Sequence, residues 1–309
     1  MTRKRPQNLA ASVRQQLLNL SKRTGRPYSE LSRHFAMERF LYRLSRMPQC
    51  RELVLKGALM FVAWGAPRSR PTMDIDLLDQ GSGRGAADVL ELMKRACEQD
   101  QTPDGLMFDP ATAEGSAIRA EAATVGVRVR LRGMLGTERV VIQVDVAFGD
   151  EVVPAPSLIT YPTLLDFPAP EILGYSRESV VAEKFNAMIT RGALNTRLKD
   201  FYDIWLLSRD FEFDGDTLSD AIGRTFERRG TAIPPLPAGL TRAFAEERQK
   251  QAQWTAFIRK RLLADVPRAL TEVVADVAKF LLPLVEAMVA GSPFPKVWPR
   301  GGPWSSSRP

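Results

Sequence analysis

The chain has 309 residues, 44% of them hydrophobic and 26% charged, with a formal net charge of +7. That is enough apolar content to bury a substantial core, and the length suits two domains. No uninterrupted apolar run is long enough to span a membrane, and the basic, polar N-terminus lacks the apolar core of a secretory signal. Cys50 and Cys97 have neither paired spacing nor zinc-ligand neighbours, and His34 is the single histidine. A disulfide scaffold and a multi-histidine metal site are therefore excluded, and a reduced, cytoplasmic protein is expected.

Charge is unevenly placed. Residues 1–47 hold eleven Lys or Arg, Arg39 and Arg43 among them, against Glu30 and Glu38; that segment is +9 and the rest about −2. Such a flank suits a polyanionic partner, because Lys and Arg displace counterions from phosphates. A solubilising helical face would read the same way. Leu9 to Leu20 and Tyr28 to Leu44 show helical spacing, separated by Gly25-Arg26-Pro27. A basic helical segment is thus expected over 1–50, with His34 inside its second helix and an apolar stripe (Val13, Leu17) that could pack on the body.

Residues 51–153 read as an α/β core. Glu52-Leu53-Val54-Leu55 is a short apolar strand ending at Lys56-Gly57. Ala58 to Trp64 is helix-like, stopped by Gly65 and Pro67, and Arg68, Arg70 and Pro71 lead into Thr72-Met73-Asp74-Ile75-Asp76-Leu77-Leu78. An Asp-x-Asp on a strand turns both carboxylates to one face and leaves Ile75 and Leu77 on the other. Paired carboxylates repel unless a cation sits between them. A hard ion such as Mg²⁺ is commonly held by one or two carboxylates plus substrate phosphates. An isolated Asp-x-Asp is also common at solvated strand ends. Here the preceding strand, glycine turn and helix supply backbone N–H groups able to meet phosphate.

Ala86 to Gln99 is an amphipathic helix. Ala120 to Leu135 alternates, with Val125, Val127, Val129 and Leu131 on one side and Arg128, Arg130 and Arg132 on the other. Gly136-Thr137 turns the chain into Arg139 to Phe148, a hairpin partner. In Val144-Asp145-Val146 a charge sits among branched apolar residues, where burial is costly unless it is paired or binds metal. Asp145 is either a third carboxylate beside Asp74 and Asp76 or the partner of a nearby arginine.

A proline-rich connector follows, from Pro154 to Pro170, and opens a mostly helical part over 154–290. Arg177 to Thr190 and Arg197 to Ser208 are its first helices; Asp200 and Asp203 lie one turn apart on the second. Further helices are expected over 216–228, 240–250, 253–263 and 267–288. Residues 291–309, rich in Pro, Gly, Ser and Trp, read as a loose tail.

These pieces in this order resemble the AbiEii-type nucleotidyltransferase toxins of the DNA polymerase β-like superfamily. The likeness rests on Leu55-Lys56-Gly57-Ala58, Arg70-Pro71-Thr72-Met73-Asp74-Ile75-Asp76-Leu77, Val144-Asp145-Val146, Glu178 to Lys184, and Arg197-Leu198-Lys199-Asp200-Phe201-Tyr202-Asp203-Ile204. It runs from about residue 35 to 230. It implies a nucleotidyltransferase fold, of α/β class, with a mixed sheet and flanking helices. It also implies transfer of a nucleoside monophosphate from an NTP, in a toxin–antitoxin or phage-defence setting with an AbiEi-like antitoxin; some relatives act on tRNA 3′ ends. Carried over, Asp74 and Asp76 would hold Mg²⁺ (or Mn²⁺), with Asp145 as a further ligand or base. Lys184 would hold the triphosphate, and Lys56, Gly57, Ala58 and Arg70 would line the nucleotide site. Asp200 would be the essential acid of the second helix, orienting Lys184 or Arg191, or else meeting the substrate hydroxyl. Thr72 falls where relatives have a hydroxyl near the metal; it could carry a regulatory phosphate or bond the backbone. Ala58 departs from the usual Gly-Ser or Gly-Gly and removes a hydroxyl contact to phosphate. Two rivals use the same fold: an antibiotic-modifying nucleotidyltransferase, which the basic flank disfavours, and a non-catalytic nucleic-acid- or antitoxin-binding module, which the intact acids disfavour.

Overall fold

The structure, a computed structural model, describes residues 8–66, 71–81, 84–99, 103–120, 124–261, 263 and 265–306. The chain forms two compact units. The first comprises Met1–Gly65, Pro71–Gly149 and Ser157–Gly174; the second holds Ala66–Arg70, Asp150–Pro156 and Tyr175–Pro309.

In the first unit the order is α1 (Leu9–Thr24), α2 (Tyr28–Ser45), β1 (Leu53–Lys56), α3 (Leu59–Ala63), β2 (Ile75–Asp79), α4 (Ala86–Glu98), β3 (Leu106–Ala120), β4 (Thr124–Leu135), β5 (Glu138–Phe148), β6 (Ser157–Thr160) and β7 (Glu171–Gly174). Among the described residues the strands make one mixed sheet in the order β3-β4-β5-β2-β1-β7-β6. β2 runs parallel to β5 and β1 parallel to β7, and the other pairings are antiparallel. The α/β class with a mixed sheet and flanking helices is therefore what forms. α2 and α4 cover the apolar face: the Phe40 and Phe108 ring centres lie 5.2 Å apart, and a Cβ at Gly115 would lie 3.5 Å from Leu90.

The basic segment is part of this unit. Asn8 caps α1 by accepting from the Ala11 N–H, Gly25 ends it at φ 71°, and Val13 and Leu17 are fully buried. Arg39 and Arg43 are 1% and 2% exposed, so the sequence reading that gave them to a polyanion is corrected. Arg39 pairs with Glu38 at 3.0 Å and donates to the Pro168 carbonyl. Arg43 makes two bonds to Asp104, at 2.8 and 3.2 Å, and a third to the Leu106 carbonyl. Burial dominates the titration here and pushes the Glu38 carboxyl up to about 7. His34 is also structural: its Nε2 lies 3.0 Å from the Tyr161 hydroxyl, and burial pulls its pKa down to about 4.

Two stretches without sequence periodicity prove ordered. The proline connector contains β6 and β7, which extend the sheet beyond β1. The second unit contains α5 (Arg177–Arg191), α6 (Leu198–Asp210), β8 (Phe213–Asp214), α7 (Gly215–Arg228), α8 (Arg242–Glu246), α9 (Arg248–Arg261), α10 (Leu270–Val289), β9 (Lys296–Trp298) and β10 (Ser305–Ser306). Its mostly helical character is as expected, but residues 296–306 do not hang loose. β9 pairs with β8 and β10, the Trp298 indole donates to the Ser208 carbonyl at 2.6 Å, and Trp304 donates to the Phe280 carbonyl at 2.8 Å. Among the described residues no helix is long and apolar enough to cross a membrane. Cys50 and Cys97 are free, and burial pushes both thiols up to about 12.

Breaking a buried ion pair from one side strands the other charge and costs about 3–5 kcal/mol. Arg43→Ala is therefore expected to lower the unfolding free energy by about that amount in urea titrations. A loss below about 1 kcal/mol, the range of exposed pairs, would show that Asp104 finds other solvation.

Candidate active site

Strand register builds the centre of the first unit. β1 and β2 pair Lys56 with Asp76, and β2 and β5 pair Asp76 with Asp145, so a lysine and two carboxylates lie across three adjacent strands. Asp74 sits one residue before β2 begins. Asp74, Asp76 and Asp145 each offer a carboxylate oxygen, and these atoms lie within 4.8 Å of one another. All three residues are half-buried, while Ile75, Leu77, Val144 and Val146 on the opposite face are fully buried. The alternation read from the sequence thus places acid on one side and core on the other.

Both readings of Asp145 hold together. It joins the acidic cluster, and Arg128 on β4 grips it twice, Nε to Oδ1 at 2.8 Å and Nη2 to Oδ2 at 2.7 Å. Gln143 adds a donor to Oδ2 at 3.3 Å. The hydrogen bond to Asp145 raises the Arg128 pKa, and the charges of Asp145, Asp74 and Asp76 add to it against burial. Thr72 donates its hydroxyl to Asp74 Oδ1 at 2.7 Å rather than to the backbone. Three hard oxygen donors on a shared face, two of them braced by neighbours, fit a divalent cation of the Mg²⁺ type.

Gly57 is the tightest point. Its φ is +70°, and a Cβ there would lie 2.0 Å from Asp76 Oδ2 and 2.8 Å from Asp76 Cβ. The turn after β1 therefore requires glycine for its conformation and for its approach to the carboxylate. Ala58 is buried and precedes α3, a helix of five residues without a side-chain cap, so any dipole there is small. Arg70, expected at the nucleotide, lies outside the described residues.

The second unit carries its own charge cluster. Lys184 on α5 reaches Asp203 Oδ2 at 2.7 Å and Asp200 Oδ1 at 3.3 Å, both on α6. Arg197 Nε lies 2.9 Å from Asp200 Oδ2. Asp200 and Asp203 are essentially buried, whereas the Lys184 side chain keeps 14% exposure. Asp200 thus contacts both Lys184 and Arg197, and Asp203 is the nearer partner of Lys184. Glu183, beside Lys184 in sequence, accepts from the Tyr175 hydroxyl at 2.7 Å and lies 3.5 Å from Arg229.

Gln143 and Arg197 carry no signal in the sequence, whereas Arg128 is one of the arginines open to Asp145 and Asp203 is the acid one turn from Asp200. Arg128 and Asp145 are equidistant from the Gly136-Thr137 turn, so the hairpin register contained that pair. Asp203 was visible one helical turn after Asp200.

The family model of the AbiEii nucleotidyl transferase toxins of type IV toxin–antitoxin systems matches residues 39–276. The chain belongs to that family. It is accordingly a nucleotidyltransferase and the toxin of a type IV toxin–antitoxin system, with a nucleotide substrate and an antitoxin partner. The match runs on through α9 into α10, well past the end of the likeness read from the motifs. Two solved structures are also similar. JHP933 from Helicobacter pylori has 14% identity and a TM-score of 0.49, covering 85% of this chain and 94% of that one. A second H. pylori structure, whose description proposes a nucleotidyltransferase, has 14% identity and a TM-score of 0.46, covering 84% and 96%. Among curated proteins none matches the chain.

Gly57→Ala tests how tightly the turn and the acids are coupled. It forces a left-handed alanine, at about 1–2 kcal/mol, and drives a methyl group into Asp76. Thermal unfolding should show a loss of that order, and calorimetric Mn²⁺ binding should weaken. Unchanged Mn²⁺ affinity would mean that Asp76 is not held by this turn.

Proposed function

We propose that this AbiEii toxin transfers a nucleoside monophosphate from an NTP to a hydroxyl at the 3′ end of an RNA, a tRNA being the simplest acceptor. We further propose that it uses Mg²⁺ held by Asp74, Asp76 and Asp145, with Mn²⁺ as an acceptable substitute. The observation that carries the reading is the convergence of three carboxylates from two parallel strands. In the transfer, the acceptor oxygen bonds to the α-phosphorus, the α–β phosphoanhydride breaks, pyrophosphate leaves, and the hydroxyl proton passes to solvent water. A bound divalent ion supplies charge neutralisation of the triphosphate and of the departing pyrophosphate.

The chain's own residues then have separate tasks. Arg128 fixes the Asp145 carboxylate in one orientation and occupies both its oxygens, which suits a ligand better than a general base. Lys56 and the backbone at Gly57 and Ala58 approach the nucleotide from the strand beside Asp76. Arg70 is assigned to the phosphates on the motif alone. Lys184 contributes positive charge to the β- and γ-phosphates, and Asp203 and Asp200 hold its ammonium so that little reorganisation is needed. Thr72 positions Asp74 through its hydroxyl. These tasks, with NTP and RNA as substrates, accord with a cytoplasmic setting.

The test is incubation with each labelled NTP and total RNA. One NTP should label a discrete RNA class, EDTA should abolish the label, and Mg²⁺ should restore it. Asp76→Asn should be inactive, and Lys184→Ala should lose about 10²–10³-fold, the cost of removing a preorganised charge from developing phosphate charge. The reading fails if RNA takes no label from any NTP, or if Asp74→Asn and Asp76→Asn each stay within roughly tenfold of the parent.

A further inference from the structure

The open face of the β3–β5 hairpins has an uneven composition that the acidic centre does not use. Alternation places Arg128, Arg130 and Arg132 of β4 on the same face as Arg139, Val141, Gln143 and Asp145 of β5. The opposite face, with Val127, Val129, Leu131, Ile142 and Val144, is the one that α2 and α4 cover. Arg128 is committed to Asp145. Arg130, Arg132 and Arg139 are exposed; among the described residues their side chains make one hydrogen bond, from Arg130 Nε to the neutral Gln143 at 3.1 Å. Large apolar groups stand among them: Met107 on β3 is 69% exposed and Val141 is 44% exposed.

From this arrangement we infer that the outer face of β4 and β5 is the track for the acceptor RNA strand, with phosphates on Arg130, Arg132 and Arg139 and bases against Met107 and Val141. The inference rests on the RNA-acceptor reading above and names the surface that would deliver the 3′ end. Position supports it. At about 3.3 Å per residue, Arg132 lies roughly 13 Å and Arg139 roughly 20 Å along the strands from the Asp145 position. The row therefore begins at the proposed metal centre and leads away from it, as the last few nucleotides of a bound strand would.

Charge supports it too. A cationic row interleaved with apolar side chains fits a single strand, whose phosphates and base faces are both accessible. Acid is present at the far side: Glu114 and Asp109 of β3 are the register partners of Arg130 and Arg132. Asp109 instead accepts from the Ala111 N–H, and Arg130 turns toward Gln143 on β5. The N-terminal helices make weaker candidates, since Arg39 and Arg43 are buried, Arg26 pairs with Glu30 and Arg14 with Glu138.

The experiment compares the full-length protein with Arg130→Gln/Arg132→Gln and Arg130→Glu/Arg132→Glu. Binding is measured on total tRNA and on a short unstructured RNA with a free 3′ hydroxyl, across a salt series, alongside NTP affinity, antitoxin capture and transfer. Both variants should weaken RNA binding, the glutamine pair by roughly tenfold, and flatten the slope of log affinity against log salt by about 1.4, which is about 0.7 per lost single-strand phosphate contact. NTP affinity and melting temperature should not change. An unaltered slope in the glutamine variant overturns the track, even if the glutamate variant binds poorly, because added repulsion alone explains the latter. Loss of antitoxin capture with intact RNA binding overturns it in favour of a protein-binding face. If the parent binds RNA through these arginines but transfers nothing to it, the track stands and the acceptor reading fails; if the parent binds no RNA, both fail.

Discussion

Parallel pairing of β2 with β5 sets Asp76 and Asp145 at one register position on one face, and Asp74 joins them from the residue before the strand. Two unit charges 4.8 Å apart repel by about 3–4 kcal/mol at an effective dielectric near 20, and by less where water reaches them. The sheet must outweigh that repulsion before any cation arrives. It does so from its other face, where Ile75, Leu77, Val144 and Val146 are fully buried and each contributes about 1.5–3 kcal/mol. Arg128 adds a bidentate pairing to the carboxylate that β5 contributes to the cluster. A slip of one residue between β2 and β5 would exchange acid and core on β5, so the register is specified by burial as well as by chemistry.

The second unit solves the converse problem. Lys184 is a cation that has to stay oriented while keeping some exposure, and two carboxylates from the neighbouring helix hold it. Arg197 in turn braces Asp200. In both units a group assigned to phosphate or metal chemistry is fixed by opposite charge from an adjacent element of its own unit. That is the arrangement expected where charge must be in place before the reaction rather than recruited during it.

The acidic motif was legible because strand alternation is strict: Asp74-Ile75-Asp76-Leu77 can be sorted into faces without coordinates. Asp145 was legible only in part, since its neighbour depends on which strand lies beside β2. β3 escaped notice because Pro110 and a register shift between Asp109 and Glu114 break its alternation. β6 and β7 are four residues each, too short for a period to show; β7 is held by pairing with β1, and β6 by pairing with β7. The C-terminal segment is fixed by single tryptophans, Trp298 and Trp304, whose indole bonds to distant carbonyls leave no local pattern. Counting charge misled where depth mattered, because Arg39 and Arg43 belong to the interior of the first unit and not to a free arm.

The central claim is that Asp74, Asp76 and Asp145 together hold the divalent ion of the transfer. Its most direct test is anomalous diffraction from crystals grown with Mn²⁺ and a non-hydrolysable NTP. The account predicts manganese density in contact with carboxylate oxygens of all three residues, with Arg128 still bonded to Asp145. Manganese bound elsewhere, or nucleotide bound with no metal at these carboxylates, would contradict it.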